Sequence, residues 1–212
     1  MDVKGVKMAD YPKIWFLRHG ETGWNAEGRI QGQLESVLTP KGREQAQKQA
    51  CLLQPILHAG LPCFVSPLVR ARQTAEIALA GCDCNVDMRL AEAHAGEGQG
   101  LTRPEVEQRW PGTLETFPNA LELFCGLPGS EGFDAFESRI RSFMDDLTEP
   151  AIVVAHGLLG QVMRGLATGL NREEMGKLPN EQGCIYVLEN GSETILRAQK
   201  ENSEKVTNHA VF

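Results

Sequence analysis

What the chain lacks narrows its function first. No stretch holds the about 20 consecutive apolar residues that a membrane-spanning helix needs. Positive charge is in deficit, with 21 Lys and Arg against 28 Asp and Glu and a net charge of −7. A surface of that sign does not attract nucleic acid or anionic membranes, so neither is an expected partner. The segment from Met1 to Lys13 mixes Asp2, Lys4, Lys7, Asp10 and Pro12 and lacks the apolar centre of a secretory signal, so a cytoplasmic location is expected. The six cysteines, Cys51, Cys63, Cys82, Cys84, Cys125 and Cys184, lack the spacing of a zinc site or a disulfide framework. Cys82-Asp83-Cys84 is their one close pair. A metal or redox role there competes with reduced cysteines that pack or lie in a loop, and two ligands do not complete a structural site, so no metal and no cofactor are expected. Internal repeats and low-complexity segments are also missing. What remains is 212 residues, 42% hydrophobic and 23% charged, enough for one globular domain with a substantial core.

Two stretches carry the strongest signal. In Ile14-Trp15-Phe16-Leu17-Arg18-His19-Gly20-Glu21-Thr22 an apolar run stops abruptly at an arginine and a histidine. Such a run, rich in bulky residues, suits a strand buried on both faces. Gly20 then permits a sharp turn. Arg18 and His19 therefore fall at the carboxyl end of a central strand, the edge at which open α/β sheets bind ligands. Taken alone, this stretch is better explained by a satisfied core histidine. Ala151-Ile152-Val153-Val154-Ala155-His156-Gly157 repeats the same order of strand, histidine and glycine. If the two strands are parallel neighbours, His19 and His156 converge on one sheet edge. Two imidazoles side by side suit a shared anionic ligand, because imidazole offers N–H donors in either charge state.

The remaining chain reads as alternating helices and short strands. Gly23 to Gln33 is a glycine-punctuated loop whose polar groups and N–H groups could cradle a ligand or simply connect elements. Thr39-Pro40 marks a helix start, with a helix expected to about His58 that buries Ala46, Ala50, Leu53 and Leu57. Cys63-Phe64-Val65 is a short strand, and Ser66-Pro67 opens a helix carrying Arg70 and Arg72 in its first turns. Arginine there opposes the helix dipole, which an anion would explain and a solvated side chain would explain as well. Asn85 to Met88 is an expected edge strand leading to Glu92, which is surrounded by small residues; His94 is expected to lie exposed in a loop. Residues 101–132 are bulky but broken by Pro111, Pro118 and Pro128, and read as a small cap. Between His94 and Pro150 there are eleven acidic residues, four arginines and no lysine, a balance equal to the net −7 of the whole chain. Phe133, Phe136, Ile140, Phe143 and Leu147 recur at helical spacing and form a core-facing stripe, since the opposite face is acidic rather than membrane-binding. A buried helix follows His156 and ends near Gly169. Strands at 184–189 and 194–198 are joined by Asn190-Gly191. The expected organisation is a leader at 1–12, one domain at 13–198, and a polar tail at 199–212.

Taken together, these segments resemble the histidine phosphatase superfamily, in its phosphoglycerate-mutase-like branch. The resemblance rests on Leu17-Arg18-His19-Gly20-Glu21-Thr22 with Asn25 and Gly28-Arg29-Ile30-Gln31-Gly32; on Leu38-Thr39 with Gly42 and Gln45-Ala46; on Ser66 to Ala75; on Leu90-Ala91-Glu92 with Gly96 and Gly100; and on Val153 to Gly157. The matches run in the family's order over roughly residues 13 to 198. The resemblance implies an α/β fold, a three-layer α/β/α sandwich with a mostly parallel central sheet and a short cap insertion, and a phosphohistidine mechanism. It implies that His19 is the nucleophile, that Arg18, Arg70 and His156 hold the phosphoryl oxygens, and that Glu92 donates the proton to the leaving group. Asn25 assists, and Thr22, Gln31, Gly32 and Gly157 complete the implied substrate-binding set. Glu35, Val37 and Gly98-Gln99 stand where the family more often has Asp, Pro and Trp-Glu, and Ser130-Glu131-Gly132 only loosely follows its Gly-Glu-Ser.

Three readings follow from the resemblance. One is a metal-independent phosphomonoesterase acting on a small phosphorylated substrate and releasing inorganic phosphate, of which an α-ribazole-phosphatase-like role is one form. The second is a phosphoglycerate mutase. The third is a non-enzymatic phosphate-binding module. A mutase needs added cations for a carboxylate and a second phosphate, whereas the segment between Glu92 and Ala151 supplies only Arg103, Arg109, Arg139 and Arg141. That balance favours the phosphatase. The apolar cap residues either pack internally or form a homodimer patch.

Overall fold

The computed structural model describes residues 11–198, so the leader as far as Asp10 and the tail at 199–212 lie outside the described residues. A six-stranded sheet forms the centre, from β1 (Ile14–Arg18), β2 (Cys63–Val65), β3 (Asn85–Val86), β4 (Ala151–Ala155), β5 (Ile185–Glu189) and β6 (Ser192–Leu196), in the order β3-β2-β4-β1-β5-β6. The first four strands run parallel, and β5 joins β1 antiparallel. The sheet is therefore mixed but mostly parallel. All five residues of β4 are buried, as expected of a strand covered on both faces.

Alternation along the strands sends neighbouring side chains to opposite cores. Ile14, Phe16, Val153, Ala155, Tyr186 and Leu188 enter one core with α7 (Phe133–Asp145) and α8 (Gly157–Thr168). Leu17, Val65, Ile152, Val154 and Ile185 enter the other with α2 (Pro40–Leu53) and α3 (Val69–Ala78). Helices on both faces make the three layers. Phe133, Phe136, Ile140 and Phe143 of the α7 stripe are buried, each contributing about 2 kcal/mol by area; Leu147 is half-buried beyond the helix.

The remaining helices are short: α1 (Gly23–Ala26), α4 (Arg103–Arg109), α5 (Thr113–Thr116), α6 (Ala120–Gly126) and α9 (Arg172–Lys177). Helices α4 to α6 form the cap, and its bulky residues pack inward. Ile30, Ala95, Val106, Leu123 and Leu127 make a third core with Trp110, Leu114 and Phe117 against it. No helix among the described residues is long and apolar enough to cross a membrane.

Boundaries differ from expectation at α2, β3 and β6, among others. Helix α2 stops at Leu53 rather than near His58. Pro55 lacks the N–H needed to continue the ladder and crowds the preceding turn, so only a separate single turn forms at Leu57–Ala59. Ala50 is half-buried, and Gln49 takes the inward position, its Nε2 donating to the Arg18 and Cys184 carbonyls at 3.0 Å each. Strand β6 begins at Ser192 instead of Thr194, because the Asn190-Gly191 turn (φ 50° and 72°) pairs Glu189 directly with Ser192. Strand β3 is confined to Asn85–Val86.

Candidate active site

Parallel pairing of β1 and β4 brings the two histidines together. Arg18 stands opposite Ala155, and the His19 N–H donates to the Ala155 carbonyl at 3.0 Å. His19 and His156 then leave the sheet side by side, both buried, with ring centroids 5.2 Å apart and planes inclined at 61°. The turn after His19 is pressed against the first turn of α2: a Cβ on Gly20 would lie 2.1 Å from the Gly42 carbonyl oxygen, so only glycine fits.

Each ring is held by one nitrogen. His19 Nδ1 lies 2.7 Å from the Gly20 carbonyl, which can only accept, so Nδ1 carries the proton and Nε2 keeps its lone pair. Burial, with Arg70 and Arg18 alongside, holds the His19 pKa well below its usual 6.5 and keeps the ring neutral. His156 Nε2 lies 2.6 Å from the buried Ser66 hydroxyl, while its Nδ1 has no partner among the described residues. Burial, then Arg70 and His19, push the His156 pKa down in the same way.

The two arginines are anchored at their tips and free at Nε. Arg70, on the first turn of α3, is 1% exposed and donates from Nη1 to Leu34 O at 2.9 Å and from Nη2 to Gly32 O at 2.7 Å. Arg18 donates from Nη1 to the Asn180 carbonyl. A Cβ at Gly157 would come within 3.2 Å of Arg18 Nε, so glycine leaves room for the guanidinium over the start of α8. Arg18 Nε and Arg70 Nε, like His156 Nδ1, are buried without a partner among the described residues. An unsatisfied buried donor costs about 1–3 kcal/mol, and a shared anion would relieve all of them at once.

Glu92 closes the arrangement from the α8 side. Its Oε1 accepts from Ala93 N at 3.1 Å and Leu159 N at 3.0 Å, and its Oε2 accepts from Leu158 N at 3.1 Å, so the carboxylate rests on the positive end of α8. The chain on either side is clamped. Arg139 donates from Nη1 to Ala91 O at 2.7 Å and from Nη2 to Glu92 O at 3.0 Å, while its fork grips Glu131 through Nε and Nη2 at 3.0 and 2.9 Å. Gln33 Nε2 donates to the same Glu92 carbonyl at 3.0 Å.

These groups face a cleft of about 200 Å³ lined by Arg18, His19, Asn25, Gln31, Gly32, Arg70, Glu92 and Gly157 together with Arg29, Ala120, Phe124, Leu158 and Asn180. Eight of the ten expected residues line it; His156 does not, although its ring stands 5.2 Å from that of His19. Thr22 does not line the cleft. It is buried as the N-cap of α1, accepting from Asn25 N at 3.2 Å, while Asn25 Oδ1 accepts from Thr22 N at 3.2 Å and from Gln182 at 3.3 Å. Arg72, two residues beyond Arg70, is exposed on the other side of α3. His94 is half-buried rather than exposed, because Gly96 N donates to its Nδ1 at 3.2 Å and its Nε2 meets Gln99 Nε2 at 3.3 Å. Among the described residues no group of three or more His, Cys, Asp or Glu is placed to hold a metal ion.

Several functional neighbours escape sequence reasoning. Ser66 and Gln182, whose Nε2 donates to His19 O at 3.1 Å, orient the histidines. Asn180 reaches the cleft from the segment before β5, and Ala120 and Phe124 reach it from the cap. Only Ser66 left a local signal, its position directly after a buried strand. The arrangement can hold a tetrahedral oxyanion among two guanidinium groups and an imidazole and present a neutral imidazole nitrogen to its central atom.

The pattern of the histidine phosphatase superfamily (branch 1) matches residues 14–200. A wheat (Triticum aestivum) protein named 2-carboxy-D-arabinitol-1-phosphatase is 31% identical over 78% of this chain, which spans only 34% of that relative's length. Phosphoglycerate mutase-like protein 4 of Arabidopsis thaliana is 36% identical over 70% of this chain and 67% of its own. Among solved structures, an Escherichia coli K-12 protein whose assignment as an alpha-ribazole-5'-P phosphatase is provisional superimposes with a TM-score of 0.75 at 25% identity, covering 89% of this chain and 97% of that one.

Proposed function

Because the chain belongs to the histidine phosphatase superfamily, branch 1, we propose that it is a phosphomonoesterase that hydrolyses a small phosphorylated metabolite through a phosphohistidine intermediate on His19. The observation that carries this reading is the free Nε2 lone pair of a neutral, buried His19 beside Arg18 Nε, Arg70 Nε and His156 Nδ1, which have no partner among the described residues. Charge in phosphoryl transfer spreads over three equatorial oxygens, and preorganised donors that stabilise it do most of the catalytic work. Here arginine side chains supply that positive charge directly, so the reading requires no metal ion.

The steps follow from the positions. His19 Nε2 attacks phosphorus as the ester oxygen leaves, and Glu92, protonated in the reactive complex, gives that oxygen its proton and becomes the carboxylate. Water then attacks phospho-His19, with Glu92 taking the proton, and inorganic phosphate departs. Ser66 keeps the His156 ring in place and Gln182 steadies the His19 backbone throughout.

The relatives carry both phosphatase and mutase names, and electrostatics favours the phosphatase for this chain. A mutase must hold a polyanion. Of the arginines between Glu92 and Ala151, Arg109 is paired with Glu97, Arg139 and Arg141 on α7 are paired with Glu131 and Glu137, and Arg103 does not line the cleft. Among the described residues, Arg29 is the one further arginine that lines the cleft beside Arg18 and Arg70, and it is paired with Glu27 and Glu105. Ala120, Phe124 and Leu158 make the facing wall apolar.

Hydrolysis of p-nitrophenyl phosphate in EDTA, by wild type and by His19→Ala, tests the proposal. EDTA-resistant turnover lost in the variant supports it. Activity that needs added divalent metal, or that survives in His19→Ala, refutes it. Faster phosphoryl transfer between phosphoglycerate positions than release of phosphate would favour the mutase.

A further inference from the structure

A thiol pair at the far edge of the sheet takes no part in this chemistry. Phe64 and Val65 of β2 pair in parallel register with Asn85 and Val86 of β3, so Cys63 and Cys84 stand opposite each other one step back along the same ladder. Both side chains face the core under α2 and α3: Cys63 is part of that core and Cys84 packs against it. Neighbouring parallel strands lie about 4.8 Å apart, within the Cα separations of about 4.4–6.8 Å that a disulfide spans. The two thiols are free.

Their exposures differ in a way that matters for reactivity. Cys63 is 2% exposed. Cys84 opens into a hollow of about 340 Å³, separate from the cleft, whose walls include Arg72, Glu76, Leu79 and Cys82. The adjoining Cys63 thiol lowers the Cys84 pKa, against burial and Asp83, and the Cys63 pKa is raised in turn. One thiol is thus accessible and disposed to ionise, and its partner is sheltered behind it.

We propose that Cys84 is an oxidation-sensitive thiol that closes a disulfide with Cys63 when the protein meets hydrogen peroxide. The Cys84 thiolate attacks one peroxide oxygen and the O–O bond breaks. Cys84 becomes a sulfenic acid, and the departing hydroxide takes a proton to leave as water. The Cys63 sulfur then attacks Cys84 Sγ, an S–S bond forms, and the sulfenic oxygen leaves as a second water with the Cys63 thiol proton. Two thiols and one peroxide give one disulfide and two waters. The bond would fasten the two-residue edge strand β3, which leads through the turn at Met88–Leu90 to Glu92, onto β2, which leads to Ser66.

The test treats the full-length protein with a small excess of hydrogen peroxide, alkylates the remaining thiols under denaturing conditions and maps peptides by mass spectrometry. The expected product is a Cys63–Cys84 linked peptide, reversed by dithiothreitol, with exposed Cys51 still alkylated. Cys63→Ser should stop at a Cys84 sulfenic acid trapped by dimedone, and Cys82→Ser should leave the link unchanged. A Cys82–Cys84 link, or Cys84 oxidising no faster than Cys51, would overturn the proposal. The wild-type map is decisive even if a serine variant folds poorly.

Discussion

The sheet edge and the cap face each other across one cleft, and they are built on opposite plans. At the edge, charged and polar groups are buried at the ends of rigid strands, and each is tied by part of its hydrogen-bonding capacity while another part points free. Arg70 binds two carbonyls through its tips and keeps Nε unpartnered among the described residues. In the cap the plan is apolar: Val106, Leu123 and Leu127 make a separate small core, and Ala120 and Phe124 offer only surface to the cleft. A phosphoryl group needs fixed charge, which only a preorganised backbone can hold out of water. A leaving group needs shape, which a cap with its own core can change without disturbing the sheet. The edge should therefore set the reaction and the cap the substrate.

The division can be broken most severely at the edge. His19→Ala removes the proposed nucleophile and should lower kcat on the order of 10⁴–10⁶-fold for every phosphomonoester, as removal of a covalent nucleophile does elsewhere; steady-state hydrolysis checks it. Arg70→Met should cost about 10²–10³-fold in kcat/KM, and Arg70→Lys should not restore it, because lysine lacks the fork that reaches both Gly32 and Leu34 while offering a third donor. A lysine variant at wild-type rate would mean that charge alone, not the fork, matters.

Arg139→Met sharpens the comparison from behind the site. Arg139 does not line the cleft but clamps the chain around Glu92. The expected loss is about 10–10²-fold for an alkyl phosphate, whose leaving group needs a proton, and much less for p-nitrophenyl phosphate, whose leaving group does not. Equal losses on both esters would make Arg139 a merely structural residue. Phe124→Ala tests the cap itself. It should raise KM for an aryl phosphate about tenfold, the worth of one aromatic contact, and leave kcat nearly unchanged. A collapse of kcat would place chemistry in the cap.

The smallest effect concerns pH. His19 and His156 are both held well below their usual 6.5 by burial and neighbouring arginines. Below pH 6.5 the unfolded chain binds protons there that the folded chain refuses, so stability falls as the pH falls through this range and is insensitive to these groups above it. Urea unfolding of wild type and His156→Asn at about pH 5 and pH 7.5 should show a shallower acid decline in the variant. Parallel declines would mean that carboxylates alone govern it.

The same contrast explains what the sequence discloses. The edge was legible because each of its parts is local: an apolar run ending in Arg18-His19-Gly20, its echo ending in His156-Gly157, and Arg70 on the first turn of a helix. Parallel pairing of β1 and β4 was the one tertiary step needed to join them. Thr22 was misplaced because a cap and a ligand contact use the same hydroxyl, and only the fold shows that Asn25 claims it. Asn180, Gln182, Phe124 and the Arg139–Glu131 clamp were illegible because their roles depend on distant partners: Gln182 meets His19 across 163 positions of chain and Arg139 meets Glu92 across 47. Helix α2 ended early for a readable reason, Pro55, which the apolar spacing beyond it obscured.

The most direct test of the account is to trap the intermediate. Wild-type protein mixed with a phosphomonoester labelled at phosphorus, quenched in alkali within a turnover and digested, should yield label on the peptide containing His19, stable to base and lost in acid. Glu92→Gln should accumulate more of it from an activated ester, because removal of the base slows attack by water. Turnover of the ester without any base-stable label on that peptide, or label on another residue, would contradict the claim that His19 carries the phosphoryl group.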